Sequence, residues 1–314
     1  MYATLIVVAA LWGTATGLLL PRAAYRLSVE PADPWRDGCP AGHRFTGPAR
    51  GWLGLPGCAA CAAAVPVPVR TAPGPAADVA HDSGPGTEPA VGPASDTPDA
   101  DPSEAPDDAP DDTSDASPDG PDATAGTPGS AAARFGGFVA VPLLTALVCA
   151  ALAAATGPRP ELAVWLLVTP FAVLLALVDS RVHRLPDQLT LPLAAAAAVL
   201  LGVAALIPGG AGSWPTALLG GLVLGFTYAV LFLINPNGMG FGDVKLALSL
   251  GVVLGWYGWL VLFAGAFAGF LLGAVYGFGL ILLRRANRKS AIPFGPFMIV
   301  GALLAVLLGA LAAV

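Results

Sequence analysis

Charged residues are scarce in this chain of 314 residues, and acids are almost missing from its C-terminal part. Only 11% of the residues are charged, whereas 55% are apolar and the mean hydropathy is +0.71. This composition is typical of a membrane protein. From Arg134 onward the only acids are Glu161, Asp179, Asp187 and Asp243. Because ionisable groups at or in a bilayer are costly and tend to be functional, these acids are the first candidates for site residues.

Basic residues are absent between Arg70 and Arg134, where fourteen of the 21 acids fall. The stretch 71–133 is rich in Pro, Ala, Asp, Gly, Ser and Thr, with almost no aromatic or large aliphatic residue. It cannot bury enough apolar surface to offset the loss of chain entropy, so we predict a disordered, self-repelling acidic linker. Since this linker carries the excess negative charge, the net charge of -6 gives no reason to expect a nucleic-acid partner.

Cysteine is rare, and three of the four cysteines lie close together in the segment 21–70. An odd cluster argues against a closed set of disulfides and favours a reduced compartment or a bound metal. Cys58 and Cys61 have the spacing of one edge of a zinc knuckle, and Cys39 and His43 supply two further ligands. The cluster therefore predicts a structural zinc site, and a reduced, metal-free loop is the alternative.

No Lys or Arg precedes the first apolar run, whereas Arg22 and Arg26 follow it. This is the reverse of a secretory signal peptide, so residues 1–20 are predicted to form an uncleaved membrane helix with its N-terminus outside. The segment 21–70 is then cytoplasmic.

Apolar runs predict an all-α membrane protein with about eight transmembrane helices. Their expected ranges are 2–20, 138–156, 162–178, 189–207, 217–234, 244–254, 258–283 and 294–314. With the N-terminus outside, every basic residue except Arg159 falls in a cytoplasmic loop or at its edge, as the positive-inside rule requires. The same topology places Asp179 and Asp243 together on the cytoplasmic face of the polytopic domain 134–314.

Two neighbouring carboxyl groups are sufficient to supply the acid and the base for hydrolysis of a peptide bond. Asp243 stands in Gly240-Phe241-Gly242-Asp243-Val244-Lys245, where Gly240 and Gly242 would admit a peptide backbone and adopt positive φ. The alternative is that both aspartates are helix caps or ion-pair partners of nearby basic residues. Because two aspartates at helix borders are predicted on the same membrane face, the catalytic interpretation is favoured over the capping one.

Three motifs of this chain resemble motifs of the type IV prepilin peptidases, a family of GxGD membrane aspartic proteases, and they follow one another along the chain in the order of that family. They are Gly240–Lys245, Asp179 followed by Leu185-Pro186-Asp187, and the late segment Pro293-Phe294-Gly295-Pro296. The exit of the first helix, residues 17–27, is weakly similar to the same family. The resemblance covers 134–314 well and 1–62 partly, and leaves out the acidic linker.

The resemblance implies an endopeptidase that removes basic leader peptides from prepilins or pseudopilins on the cytoplasmic face, with membrane lipid and pilus assembly proteins as further partners. Asp179 and Asp243 would be the catalytic pair, supported by Pro186, Asp187, Gly240, Gly242 and Lys245. Lys245 would pair with Asp243 or with a lipid phosphate. Proteolysis would need no cofactor.

Bifunctional relatives of this family also N-methylate the new N-terminus with S-adenosylmethionine, an activity that depends on the loop after helix one. In this chain acidic sequence replaces much of that loop, so S-adenosylmethionine is a cofactor only if methylation is retained.

A proton- or cation-coupled transporter using Asp179 and Asp243 as a relay is the competing function class. A non-catalytic membrane scaffold is a third.

Overall fold

The computed structural model describes residues 2–29, 33–55, 57–63, 139–183, 185–236, 239–283 and 293–313. Within these ranges the chain is helical, as predicted, and its one pairing of extended backbone is an isolated bridge between Gly38 and Arg44. The acidic linker predicted over 71–133 lies outside the described residues.

Eleven helices are found in the described part, and eight of them coincide with the eight predicted membrane helices. They are α1 (Tyr2–Gly17), α2 (Leu20–Leu27), α3 (Pro48–Gly51), α4 (Ala59–Ala63), α5 (Ala140–Thr156), α6 (Glu161–Val182), α7 (Asp187–Ala205), α8 (Trp214–Ile234), α9 (Phe241–Gly255), α10 (Trp259–Leu282) and α11 (Gly295–Ala312). Among the described residues, six stretches are long and apolar enough to cross a membrane: Tyr2–Leu27, α6, α7, α8, α10 and α11. The apolar helices α5 and α9 are shorter, so the count of eight spans is approximate.

Two helix ends differ from the predicted boundaries in ways that affect the candidate site. α6 continues to Val182, four residues further than expected, so Asp179 lies within its last turn. The helix ends at His183, whose backbone is left-handed (φ 51°) and whose N–H donates to the carbonyl of Asp179 at 2.9 Å. A left-handed residue is a common helix end because it satisfies a carbonyl of the last turn. Pro186 directly precedes α7, which begins at Asp187, two residues earlier than predicted.

The beginning of the chain is also more helical than predicted. α1 ends at Gly17, and after a short break α2 continues through Pro21 to Leu27 instead of stopping at Leu20. Proline is well tolerated in the first turn of a helix because its missing N–H needs no partner there.

Helix α9 lies at the centre of the bundle, packed against α7, α8, α10 and α11. Eleven of its fifteen residues are buried. Glycines allow the close contact with α8: a Cβ on Gly220 would lie 2.6 Å from the carbonyl oxygen of Gly251. Small residues are favoured where membrane helices pack this closely. Asp243, in the first turn of α9, is thereby placed inside the bundle.

The opposite end of the bundle is tied by a buried acid, Glu161, at the start of α6. Its Oε1 accepts the N–H of Ala211, from the α7–α8 connection, at 3.2 Å and lies 4.0 Å from the Arg159 guanidinium. Arg159 in turn donates to the carbonyl of Ala310 near the end of α11 at 3.1 Å. These bonds link three helix ends on the side away from Asp179, a role that the sequence alone did not suggest for Glu161.

Candidate active site

Asp179 is buried near the end of α6, with only 4% of its surface exposed. Its Oδ2 accepts a hydrogen bond from the backbone N–H of Gly295, the first residue of α11, at 3.0 Å. A Cβ at Gly295 would lie 2.7 Å from the same oxygen. The carboxylate therefore rests against backbone that only glycine leaves open, at a helix N-terminus that favours negative charge.

Asp243 is also buried, in the first turn of α9 as predicted. Its Oδ2 accepts the backbone N–H of Gly240 at 3.2 Å, while its own N–H donates to the Gly240 carbonyl at 3.0 Å. This is the reciprocal bonding of a helix N-terminal cap. The capping role that was the alternative for this aspartate is thus present, and it also holds the carboxylate in one orientation.

The two carboxylates lie at the same end of the bundle and are close enough to interact electrostatically. Tyr228 of α8 is also buried and interacts electrostatically with Asp243. Its ring lies 6.4 Å from that of Phe294, the residue before Gly295. α6, α8, α9 and the start of α11 thus converge on one buried polar position in an apolar bundle.

Similarity to known proteins is concentrated in the segment that supplies these residues. Residues 166–314 match the type IV leader peptidase family. The resemblance seen in the three motifs is therefore confirmed over residues 166–314, which we call the leader-peptidase segment after the family that they match. No solved structure matches the chain.

Three curated relatives are each called prepilin leader peptidase/N-methyltransferase. The chain is 37% identical to that of Aeromonas salmonicida over 182 residues, which are 58% of this chain and 61% of the relative. It is 38% identical to that of Aeromonas hydrophila over 174 residues, which are 54% of this chain and 57% of the relative. It is 31% identical to the Bacillus subtilis protein over 176 residues, which are 55% of this chain and 66% of the relative. The chain thus spans less than two thirds of the length of each of these relatives.

The glycines of the leader-peptidase segment act differently from the prediction. Gly240 has φ -75° and Gly242 lies inside α9, and neither has a positive φ. The expectation of left-handed backbone there is wrong. What Gly242 provides is space, because a Cβ would lie 3.0 Å from the Cβ of buried Leu185. This contact packs the Leu185-Pro186 motif against the start of α9.

Lys245 joins the two aspartate motifs by an ion pair. Its Nζ lies 2.6 Å from Oδ2 of Asp187, at the start of α7, and 4.7 Å from the centre of the Phe241 ring. Residues two apart on a helix point to different faces, which explains why Lys245 reaches Asp187 instead of Asp243. Asp187 thus takes the place of the predicted side-chain partner, Asp243.

Breaking the Lys245–Asp187 pair is expected to have a small effect on stability. Asp187 is 64% exposed, and ion pairs with such a partner contribute about 0.2–1 kcal/mol. Lys245→Met, Asp187→Asn and the double variant form a thermodynamic cycle whose coupling energy can be measured by thermal unfolding in detergent. A coupling of several kcal/mol would show that the pair is desolvated and supports the fold far more than its exposure indicates.

A second polar cluster lies outside the bundle, in the segment after α2. Cys39, His43, Cys58 and Cys61 place their ligand atoms within 4.8 Å of one another. The Sγ atoms of Cys39 and Cys61 are 3.6 Å apart, and Nδ1 of His43 lies 3.2 Å from Sγ of Cys61. Tetrahedral ligands about 2.3 Å from one metal ion are about 3.8 Å apart, so the four residues could hold a metal ion.

The two best-placed thiols of this cluster differ in acidity. Burial raises the pKa of the Cys39 thiol, but hydrogen bonds from the backbone of His43 and Ala41 and from the Cys61 thiol outweigh it and lower the pKa to about 7. Burial and the hydrogen bonds with Cys39 and Cys58 raise the pKa of the Cys61 thiol to about 11. The Cys39 thiol is therefore the more acidic of the two, because it accepts backbone hydrogen bonds that favour its charged form.

Two arginines of α2 attach the cysteine segment to the bundle. Arg22 donates to the carbonyl of Thr46 at 3.0 Å and lies 4.5 Å from the centre of the Phe45 ring. Arg26 lies 4.0 Å from the Trp52 ring and bonds Asp37 at 3.0 Å. Both guanidinium groups are buried. The sequence predicted these arginines only as positive charges on the cytoplasmic side. The tertiary structure shows that they also pack against aromatic rings.

Sequence reasoning missed two residues of the site, Gly295 and Tyr228. Gly295 belongs to a motif that had been noticed, and a glycine between two prolines was the available signal. Tyr228 carried a weaker signal, a single phenol within an apolar helix. Neither could be assigned a partner from the sequence, because Gly295 lies 116 positions from Asp179, to which it donates, and Tyr228 lies 15 positions from Asp243, whose charge acts on it.

Proposed function

We propose that this chain is a membrane aspartic endopeptidase that cleaves leader peptides from type IV prepilins or pilin-like proteins at the cytoplasmic membrane face. The observation that carries the proposal is the placement of two buried carboxylates, Asp179 and Asp243, at the same end of an apolar bundle, close enough to interact electrostatically. The match of residues 166–314 to the leader peptidase family and the names of the curated relatives support it. The excess of basic residues in the loops on this side supports the cytoplasmic placement.

The arrangement suits hydrolysis by a pair of carboxyl groups. Two neighbouring carboxyls share one proton, because ionising both in a buried site is unfavourable. The ionised group takes a proton from a water molecule, whose oxygen adds to the carbonyl carbon of the peptide bond, while the protonated group donates to the carbonyl oxygen. Transfer of a proton to the amide nitrogen then allows the C–N bond to break. Either aspartate can take either role.

The backbone donors around the pair serve to orient it. Gly295 and Gly240 each fix one carboxylate oxygen through an N–H group. Because both donors belong to helix N-termini, their positions are set by whole helices and not by mobile side chains. The carboxylates are thereby held in place before the substrate arrives, which lowers the cost of reaching the transition state.

The test is a cleavage assay with the full chain in lipid bilayers and a panel of prepilins and pseudopilins. Mass spectrometry should find a product shortened at one peptide bond, and its mass in the presence of S-adenosylmethionine reports separately on N-methylation. Complete absence of cleavage with well-folded protein would contradict the proposal and favour the transporter, in which the same aspartates relay protons or cations.

Zinc is the metal that best fits the cluster of Cys39, His43, Cys58 and Cys61. Three thiolates and one imidazole form an accepted structural zinc set, and such a closed set leaves no position for catalysis. Bound zinc would favour the thiolate form of all three cysteines. Its role here would be to hold the segment 33–63 against α2.

Purified chain is expected to contain one zinc ion, measured by elemental mass spectrometry per mole of folded protein. Cys58→Ser and Cys61→Ser remove a ligand and should abolish zinc retention and lower the thermal unfolding temperature. Cys149→Ala is the matched control, because Cys149 is buried in α5 outside the cluster. Equal metal content in all variants, or none in the unaltered chain, would contradict the zinc site.

A further inference from the structure

Arg22 of α2 is a buried cation that has no acidic partner in the part of the chain that the structure describes. Only 7% of its surface is exposed, and no carboxylate there lies within ion-pair distance of its guanidinium group. Its Nε has no hydrogen-bond partner among the same residues. Arg26, one turn later and similarly buried, differs because it pairs with Asp37 at 3.0 Å. Since a buried charge without a counter-charge is strongly destabilising, the charge of Arg22 needs a partner.

The candidate metal site lies directly beside this cation. The thiol of Cys58, one of the four candidate ligands, interacts electrostatically with Arg22. Phe45, whose ring centre lies 4.5 Å from the guanidinium carbon of Arg22, packs in one buried cluster with Cys39 and Cys58. The guanidinium group also donates to the carbonyl of Thr46, the residue after Phe45. Arg22 therefore contacts the residues that enclose the candidate metal site, from the side of α2.

A metal-loaded cluster would carry the negative charge that Arg22 lacks. Zinc is bound by thiolates, so a doubly charged ion with three thiolates and one neutral imidazole forms a centre with one net negative charge. The arginines of the segment 33–63 itself are exposed, and water screens their charges. Arg22 instead acts on the cluster from a buried position, where the attraction between opposite charges is stronger. The sign, the size and the place of its charge thus match those of the loaded centre.

We propose that Arg22 is the counter-charge of the metal-loaded cluster and thereby couples metal binding to the attachment of the cysteine segment, residues 33–63, to α2. The inference rests on the zinc site proposed above. With the metal bound, the opposite charges attract each other and hold the segment against the bundle. Removal of the metal leaves the guanidinium group buried without a counter-charge, which favours release of the segment from α2. Because such coupling is reciprocal, the attachment in turn raises the affinity for the metal.

The test compares Arg22→Gln, which keeps a hydrogen-bond donor but removes the charge, with Arg22→Lys, which keeps both. The zinc affinity of the full chain in detergent is measured by competition with a chromophoric chelator. Arg22→Gln is expected to lower this affinity about 10- to 100-fold, the usual effect of removing a group that supports metal ligands, and Arg22→Lys should lose less than about tenfold. Arg26→Gln is the matched control, because Arg26 is buried on the same helix but its charge is paired with Asp37. It should bind zinc as tightly as the unaltered chain.

A second readout reports on the attachment to α2: zinc should raise the thermal unfolding temperature of the unaltered chain and of Arg22→Lys by more than that of Arg22→Gln. Equal zinc affinities of the unaltered chain and Arg22→Gln would overturn the role of Arg22 and leave the zinc site intact. A loss of about tenfold or more in Arg22→Lys would also overturn it, and this variant decides where Arg22→Gln does not fold. If the unaltered chain binds no zinc, the zinc site and the role of Arg22 are overturned together. None of these measurements uses cleavage, so the peptidase proposal is tested separately.

Discussion

Asp179→Asn and Asp243→Asn are each expected to lower kcat/KM for prepilin cleavage by about 10²- to 10⁴-fold, the contribution of general acid–base catalysis, since one carboxyl acts as the base on water and the other as the acid on the carbonyl oxygen. Asparagine has nearly the same shape, and its carbonyl oxygen can still accept the N–H of Gly295 or Gly240. The helices should therefore stay in place. The measurement is initial cleavage rate in bilayers at matched protein concentration.

Asp33→Asn is the control for these two substitutions, because Asp33 is exposed in the cysteine segment, away from the bundle interior. It should cleave at the rate of the unaltered chain. Thermal unfolding of all three variants separates loss of chemistry from loss of fold. Substantial cleavage by either Asp179→Asn or Asp243→Asn would exclude a pair of catalytic carboxyls and reopen the helix-cap role as the whole explanation of that residue.

Gly295→Ala is expected to lower kcat by about 10²-fold with little change in KM, the cost associated with displacing a reacting group by about 1 Å. The new methyl group would lie 2.7 Å from Oδ2 and 3.1 Å from Cγ of Asp179, so the carboxylate must move. Gly242→Ala should have a smaller effect, because its Cβ would lie 3.0 Å from a side-chain carbon of Leu185. Gly240→Ala should be mildest, with 3.7 Å to the nearest oxygen of Asp243.

This graded order is what distinguishes a positioning role from general fragility of the motif glycines. Gly279→Ala in α10 serves as the control, since a Cβ there meets nothing within 4 Å. Kinetics with the anchored prepilin give kcat and KM, and thermal unfolding reports on the fold. Full activity of Gly295→Ala, or a loss confined to KM, would show that the contact between Gly295 and Asp179 does not position the carboxylate.

Much of the architecture was predictable because each helix is specified locally. The apolar runs within α7, α8 and α10 contain no charged residue, although Pro192 lies inside α7, and they are bounded by Pro, Gly or charge, so their existence followed from composition alone. Boundaries were less predictable: the end of α6 depends on the left-handed backbone of His183, a conformation in which histidine is enriched but which residue type alone does not specify. The cluster of Cys39, His43, Cys58 and Cys61 was predictable because ligand type and spacing are themselves the signal.

The sequence by itself determined a polytopic helical bundle, two aspartates at one end of it, a cluster of three cysteines and one histidine, and three ordered motifs. Those features depend on residue type, local spacing and charge asymmetry, which are readable along the chain. Only the tertiary structure decided that Gly295 donates to Asp179, that Lys245 pairs with Asp187, and that Arg22 and Arg26 pack on aromatic rings. Such contacts join distant residues, and their partners are fixed by how helices pack, which local propensity does not specify.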